Sequence, residues 1–161
     1  MRRKWISLLL AASMALSPSY LFPGAAMALT EQDDSGYSTY ECEDGEVLGN
    51  AVVSTSFSGY TGDGSVVCGM VPVQGVTLSN VTVPEEGDYT VLIRYGQSNW
   101  SARTMYVYAN GNEADAQQVV FPKLKSWGLW DEIPVTVHLQ EGENTLTVAS
   151  GAGDSGDVVL D

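Results

Sequence analysis

The 161-residue chain has one histidine, two cysteines, and only seven lysines and arginines against 20 aspartates and glutamates. Each shortage excludes something. One histidine and two cysteines set far apart do not make the Cys/His cluster of a zinc site. A net charge of −13 repels nucleic acid and anionic membranes, and also acidic polysaccharides unless a cation mediates. There is no Gly-x-Ser-x-Gly elbow and no phosphate-binding loop. Past the N-terminus no apolar run is long enough to span a bilayer, and no segment reads as an amphipathic helix or an internal repeat. Carboxylate pairs are plentiful, so residue type alone leaves a glycosidase pair open, but acids set in the turns of a small all-β chain point away from a hydrolase. No catalytic residue is assigned.

The N-terminus itself reads as a secretory signal. Met1-Arg2-Arg3-Lys4 is a basic start, Trp5–Ser17 is a short apolar run, Pro18 and Pro23 break it, and Ala26-Met27-Ala28 is a small-x-small cleavage site. Residues 1–28 are the expected signal peptide, and the character is bacterial. No cysteine follows closely enough for lipidation, so the mature chain is expected outside the cell and off the membrane. Cleavage removes three basic residues, leaving four against 20 acids, a net charge of −16 over 133 residues. That length suits one domain. In an oxidising compartment Cys42 and Cys68 have two readings: one disulfide, adding about 3 kcal/mol, or two buried thiols.

Residues 29–39 (LTEQDDSGYST) read as a flexible lead-in. From residue 40 to 161 the punctuation is that of an all-β domain. Turn signals recur at Glu46 to Asn50, Gly59 to Gly64, Pro84 to Gly87, Asn110 to Asn112, Glu141 to Asn144 and Gly151 to Gly156, with short alternating runs between them. Asn110-Gly111 after Thr104–Ala109 is the strongest short hairpin signal, and Val135–Gln140 is expected to pair with Thr145–Ala149 across Glu141 to Asn144. The fold class that follows is a β-sandwich of two antiparallel sheets. The closing run Asp157–Asp161 reads as a strand with no turn or polar tail after it, so a longer parent chain is expected.

The stretch Tyr40-Glu41-Cys42-Glu43-Asp44, taken as a strand, puts Glu41 and Glu43 on one face and Cys42 on the other. Two like charges side by side repel. They form either a solvated acidic edge or part of a site for a hard divalent cation, which reverses the sign of that interaction. His138, on an alternating run, reads as a surface strand residue. Flat aromatics suited to stacking on a sugar are Trp127, Trp130, Trp100, Tyr60 and Tyr95, with Asn99 as a hydrogen-bonding partner. As strand residues three apart, Trp127 and Trp130 would face opposite ways, one exposed and one in the core. Trp100, in the Gly96 to Arg103 loop, reads as either a second platform or a plug. Asn80-Val81-Thr82 and Asn99-Trp100-Ser101 match the glycosylation acceptor pattern by chance in a bacterial chain.

The order of these pieces carries a resemblance. YECED, then GYTGDG, VPEEGDYTVLIRY, the YANG hairpin, WGLW, LQEGENTLTV and a terminal VVLD resemble the secreted carbohydrate-binding modules of families 6 and 35 across residues 40–161. The resemblance implies a jelly-roll β-sandwich with a structural calcium on Glu41, Glu43 and Asp161. It implies a sugar-stacking role for Trp127 and a core role for Trp130. Two positions depart from the family pattern. Ser65 and Val66 stand where an aromatic is usual, and Val159 stands where an asparagine usually meets the sugar. Tyr60 or Trp100 would replace the aromatic and Asp157 the amide. The resulting expectation is non-catalytic polysaccharide or oligosaccharide binding by a calcium-stabilised module, with a linked glycoside hydrolase as a possible neighbour. The alternatives are an interaction sandwich whose sugar cleft is lost, and the N-terminal module of a glycoside hydrolase whose catalytic part lies elsewhere.

Overall fold

A computed structural model describes residues 38–161. The expected signal peptide, and the lead-in through residue 37, lie outside them. Ten strands form two five-stranded antiparallel sheets. They are β1 (Glu46–Leu48), β2 (Val52–Ser54), β3 (Ser65–Cys68), β4 (Gly75–Val83), β5 (Gly87–Gly96), β6 (Arg103–Ala109), β7 (Gln117–Phe121), β8 (Asp131–Leu139), β9 (Gly142–Ala149) and β10 (Val158–Leu160). One sheet runs β1-β4-β9-β6-β7 and the other β2-β3-β10-β5-β8.

The sandwich follows from the period-two pattern. In β8, Val135, Val137 and Leu139 turn inward while Pro134, Thr136 and His138 face water. The two inner faces meet over Val66, Met105, Val107, Phe121, Leu139, Leu160 and Tyr95. Tyr95 and Phe121 pack edge to face, with ring centroids 5.2 Å apart, and the Tyr95 hydroxyl donates to the Pro122 carbonyl at 3.0 Å. That bond lets a phenol sit in the core without an unmet polar group. No helix among the described residues is long and apolar enough to cross a membrane.

One of the expected pairings differs, while the hairpin after Thr104–Ala109 forms as β6 against β7. β8 and β9 do not pair with each other. The Glu141-to-Asn144 turn crosses between sheets, so β8 pairs with β5, and β9 pairs with β4 and β6. Asn144 holds this crossing. Its buried amide donates to the Gln140 and Gly142 carbonyls at 2.8 and 3.0 Å and accepts from the Gln140 N–H at 2.9 Å and Asn110 Nδ2 at 2.8 Å. Asn110 and Gly111 do take the positive φ values of a tight turn, 54° and 66°. A further 3-10 turn, Glu113–Asp115, intervenes before β7, and Asn110 bonds sideways to Thr145.

The second difference concerns YECED. It is not a strand. Glu41 is extended, and Cys42–Asp44 form one turn of 3-10 helix closed by the Asp44 N–H to Glu41 carbonyl bond at 3.2 Å. The turn buries Cys42 and leaves both glutamates on the outside of the sandwich edge, so the carboxylates converge by turning rather than by strand alternation. Cys42 and Cys68 are both buried and carry free thiols, without the bond that the oxidising reading expects. Burial, then Cys68, then the nearby Glu43 and Glu41 push the Cys42 thiol up to about 12; burial alone does the same to Cys68.

Candidate functional site

β10 lies in the middle of its sheet, between β3 and β5. That placement delivers Asp161 to the edge where the Cys42–Asp44 turn sits. Carboxylate oxygens of Glu41, Glu43 and Asp161 all lie within 4.8 Å of one another. The loop between β2 and β3 closes over them. Glu43 Oε1 accepts the Asp63 and Gly64 N–H groups at 2.6 and 3.0 Å. Asp161 accepts the Thr61 N–H at 3.1 Å, and the Thr61 hydroxyl donates to Glu41 Oε2 at 2.9 Å. Arg94 forms an ion pair with Asp161. One cation among three carboxylates leaves the cluster with two uncompensated negative charges.

Glu43 Oε2 is buried and has no hydrogen-bond partner. A buried carboxylate oxygen left bare costs several kcal/mol. Together with an all-oxygen donor set, it fits a hard divalent cation of the calcium kind. Gly62 is part of the fit. Its φ is +57°, and a Cβ there would stand 2.3 Å from Glu43 Oε1, so any side chain would force the loop off the carboxylates.

The aromatic residues lie beside the same loop. Residues 122–130 are a loop, not a strand, with a turn closed by Leu129 N–H on the Ser126 carbonyl and Gly128 at φ +82°. Trp127 is 41% exposed and rests on Phe57, with ring centroids 5.1 Å apart and planes tilted by 35°. Phe57 was not singled out from the sequence; an aromatic three residues before Tyr60 was the available signal. Trp130 is half-buried but not in the inter-sheet core. Its Nε1 donates to the Ser58 carbonyl at 3.0 Å, the Arg94 guanidinium lies 4.8 Å over its ring, and it packs beside Gly96. The turn in the 122–130 loop is what breaks the strand logic behind the core reading.

Trp100 is 97% exposed, with Lys123 Nζ 5.9 Å from its ring, so it plugs nothing. Its loop is tied down by buried Gln97, which donates to the Phe121 carbonyl at 2.9 Å and accepts the Asn99 N–H. The remaining polar candidates are engaged within the protein. Asn99 Nδ2 donates to the Asp157 carbonyl at 2.9 Å, and the Asp157 carboxylate pairs with Arg103 at 3.1 Å. Tyr60 is half-buried beside Thr61. Val159 is 1% exposed and out of a ligand's reach.

No protein-family model matches the chain. A 1,6-alpha-glucosyltransferase of Sporosarcina globispora is 31% identical over 122 residues, which is 76% of this chain and 9% of that enzyme. A cycloisomaltooligosaccharide glucanotransferase of a Paenibacillus species, solved with cycloisomaltoheptaose, superposes with a TM-score of 0.68 at 31% identity, over 76% of this chain and 17% of that one. A family 35 carbohydrate-binding module of Clostridium thermocellum superposes with a TM-score of 0.63 at 26% identity, over 76% of this chain and 91% of the module. The fold is that of a carbohydrate-binding module. The chain spans about a tenth of the length of the curated relatives it matches, so the likeness is to one module within each enzyme.

Two further surfaces of the module carry chemistry. On the outer face of the other sheet, Tyr106 and Tyr108 line a trough of about 480 Å³ with Leu48, Val73, Ala149 and Gly151. On β8, His138 Nδ1 lies 2.9 Å from Asp88 and Nε2 lies 3.2 Å from Glu86. The Asp88 contact first, and the Glu86 contact second, hold its pKa above the usual 6.5. A raised folded pKa stabilises the module below about pH 6.5, the unfolded value, and that contribution fades as pH rises through the folded pKa. His138→Gln is therefore expected to lose stability against the parent at pH 5.5 and to match it at pH 9. Urea melts at the two pH values test this, and an equal difference at both would refute the linkage.

Proposed function

We propose that the chain is an exported, non-catalytic module that binds a neutral polysaccharide on the Phe57–Trp127 platform, with a calcium ion held by Glu41, Glu43 and Asp161. The observation that carries the reading is Trp127, an indole left 41% exposed and packed against Phe57, on a carbohydrate-binding fold. A rigid flat ring at a loop end stacks on the C–H face of a pyranose at little entropic cost. The acidic surface disfavours uronate chains. The relatives' names point first to α-1,6-linked glucan, and the share of each relative that is matched supports a place within a larger carbohydrate-active enzyme.

The calcium part rests on the bare Glu43 Oε2 and the three converging carboxylates. Calcium, when bound, neutralises that charge and supplies an oxygen-coordination centre. Glu43 contributes an unmatched acceptor, Asp161 ties the last strand to the site, and Thr61 orients both Glu41 and Asp161. The alternative of an interaction sandwich with a lost sugar cleft is favoured by buried Val159 and by the internal engagement of Asn99 and Asp157.

Affinity gels separate these readings. The folded module is run through dextran, starch, β-glucan, xylan and galactan, first with calcium and then with chelator. Retardation by dextran with calcium is the expected result. A folded module that no glycan retards would overturn the sugar reading and favour the interaction-domain alternative.

A further inference from the structure

The loop between β2 and β3 is held from two sides. Residues Thr61, Asp63 and Gly64 hang on the carboxylates of Asp161, Glu41 and Glu43. Four residues earlier, Phe57 backs the Trp127 platform, and the Ser58 and Gly59 carbonyls are held by Trp130 and by Arg94. One side chain touches both sides. Arg94 pairs with Asp161, donates from Nη2 to the Gly59 carbonyl at 2.7 Å, and lies 4.8 Å over the Trp130 ring.

Resting on the reading of both sites given above, we infer that Arg94 is a positioning residue that couples the cation site to the aromatic platform. A planar guanidinium with five N–H donors can serve a carboxylate, a carbonyl and an aromatic face together, which a lysine ammonium cannot. Coupling also needs a contact that differs between the two states. Asp161 supplies it. Its carboxylate is shared between Arg94 and the cation cluster, so the hold of Arg94 on Asp161 weakens when the cluster's charge is met by a metal. The guanidinium then shifts its bonding towards the Gly59 carbonyl and Trp130. Those contacts set the positions of Ser58, Gly59 and the Trp127–Trp130 turn, and hence of the Phe57–Trp127 pair.

The test uses the full chain, calcium alone as the metal and dextran as the glycan. Calcium affinity is read by calorimetry, platform geometry by tryptophan emission without any glycan, and dextran affinity by gel retardation. In the parent chain calcium is expected to shift tryptophan emission and raise dextran affinity at least about fivefold, the low end of ordinary coupling. Arg94→Gln removes a cation that competes for Asp161. It is expected to bind calcium several-fold more tightly, lose the emission shift, and hold dextran several-fold more weakly. A purely structural arginine would not move the two affinities in opposite directions. Arg94→Lys keeps the charge and serves if the glutamine variant does not fold. It should bind calcium within about threefold of the parent and lose the emission shift.

Persistence of both the emission shift and the calcium-dependent dextran affinity in these variants would overturn the coupling. A parent that gains thermal stability from calcium without any emission shift would overturn it too, and leave the cation site standing. An emission shift lost in the variants, from a parent that binds no dextran, would support the coupling and remove the sugar reading. A parent without any thermal response to calcium would remove the cation site and the coupling together.

Discussion

Glu43→Gln is expected to abolish the thermal stabilisation by calcium, and to leave the metal-free module as stable as the parent or slightly more so. The reversal follows from two features of Glu43. Its Oε1 carries the Asp63 and Gly64 N–H bonds, which a glutamine oxygen can also accept, so the loop keeps its anchor. Its Oε2 is buried and unpartnered beside two other carboxylates, so losing the charge relieves repulsion when no metal is present. With metal, a formal charge is missing from the ligand set, and affinity for a hard divalent cation falls steeply. Free calcium at 100 times its Kd stabilises a folded protein by about 2.7 kcal/mol. For a domain of this size that is a Tm rise on the order of 10 °C. Calorimetric scans with calcium and with chelator should show this rise in the parent and none in the variant. A full calcium response in Glu43→Gln would end the metal assignment.

Trp127→Ala should remove polysaccharide retention while leaving the melting temperature within a few degrees of the parent. The ring is outside the inter-sheet core, so its loss creates no buried cavity. Its stacking face is the part of the proposed site that nothing else replaces. Loss of about 1.5 kcal/mol of aromatic contact is roughly a tenfold loss of affinity, enough to abolish retardation for a shallow site of modest strength. Trp127→Phe keeps a smaller stacking face and should bind at an intermediate level. Full retention by Trp127→Ala would move the site, and Tyr106→Ala in the trough on the other sheet would then be the next variant.

What could be read along the chain was what depends on local periodicity and residue type. Alternation in runs such as Val135–Leu139, broken by Gly, Pro and Asn, determined an all-β sandwich with inward valines and leucines. The acidic balance, the single histidine and the lack of any nucleophile motif turned the reading towards binding and away from nucleic acid and catalysis. Resemblance in motif order picked out Glu41, Glu43, Asp161 and Trp127. Three things waited for the tertiary structure because they depend on distant segments. The Glu141-to-Asn144 turn looks like a hairpin turn, yet its strands lie in opposite sheets, β8 against β5 and β9 against β4 and β6. YECED turns as a 3-10 helix, because Cys42 is buried against the sandwich and the glutamates must face a loop twenty residues away. Arg94 reads as an ordinary outward strand residue until β10 sets Asp161 beside it, and the β2–β3 loop brings the Gly59 carbonyl to its other side. Periodicity reports which way a side chain points. Only the meeting of segments far apart in sequence decides what it points at.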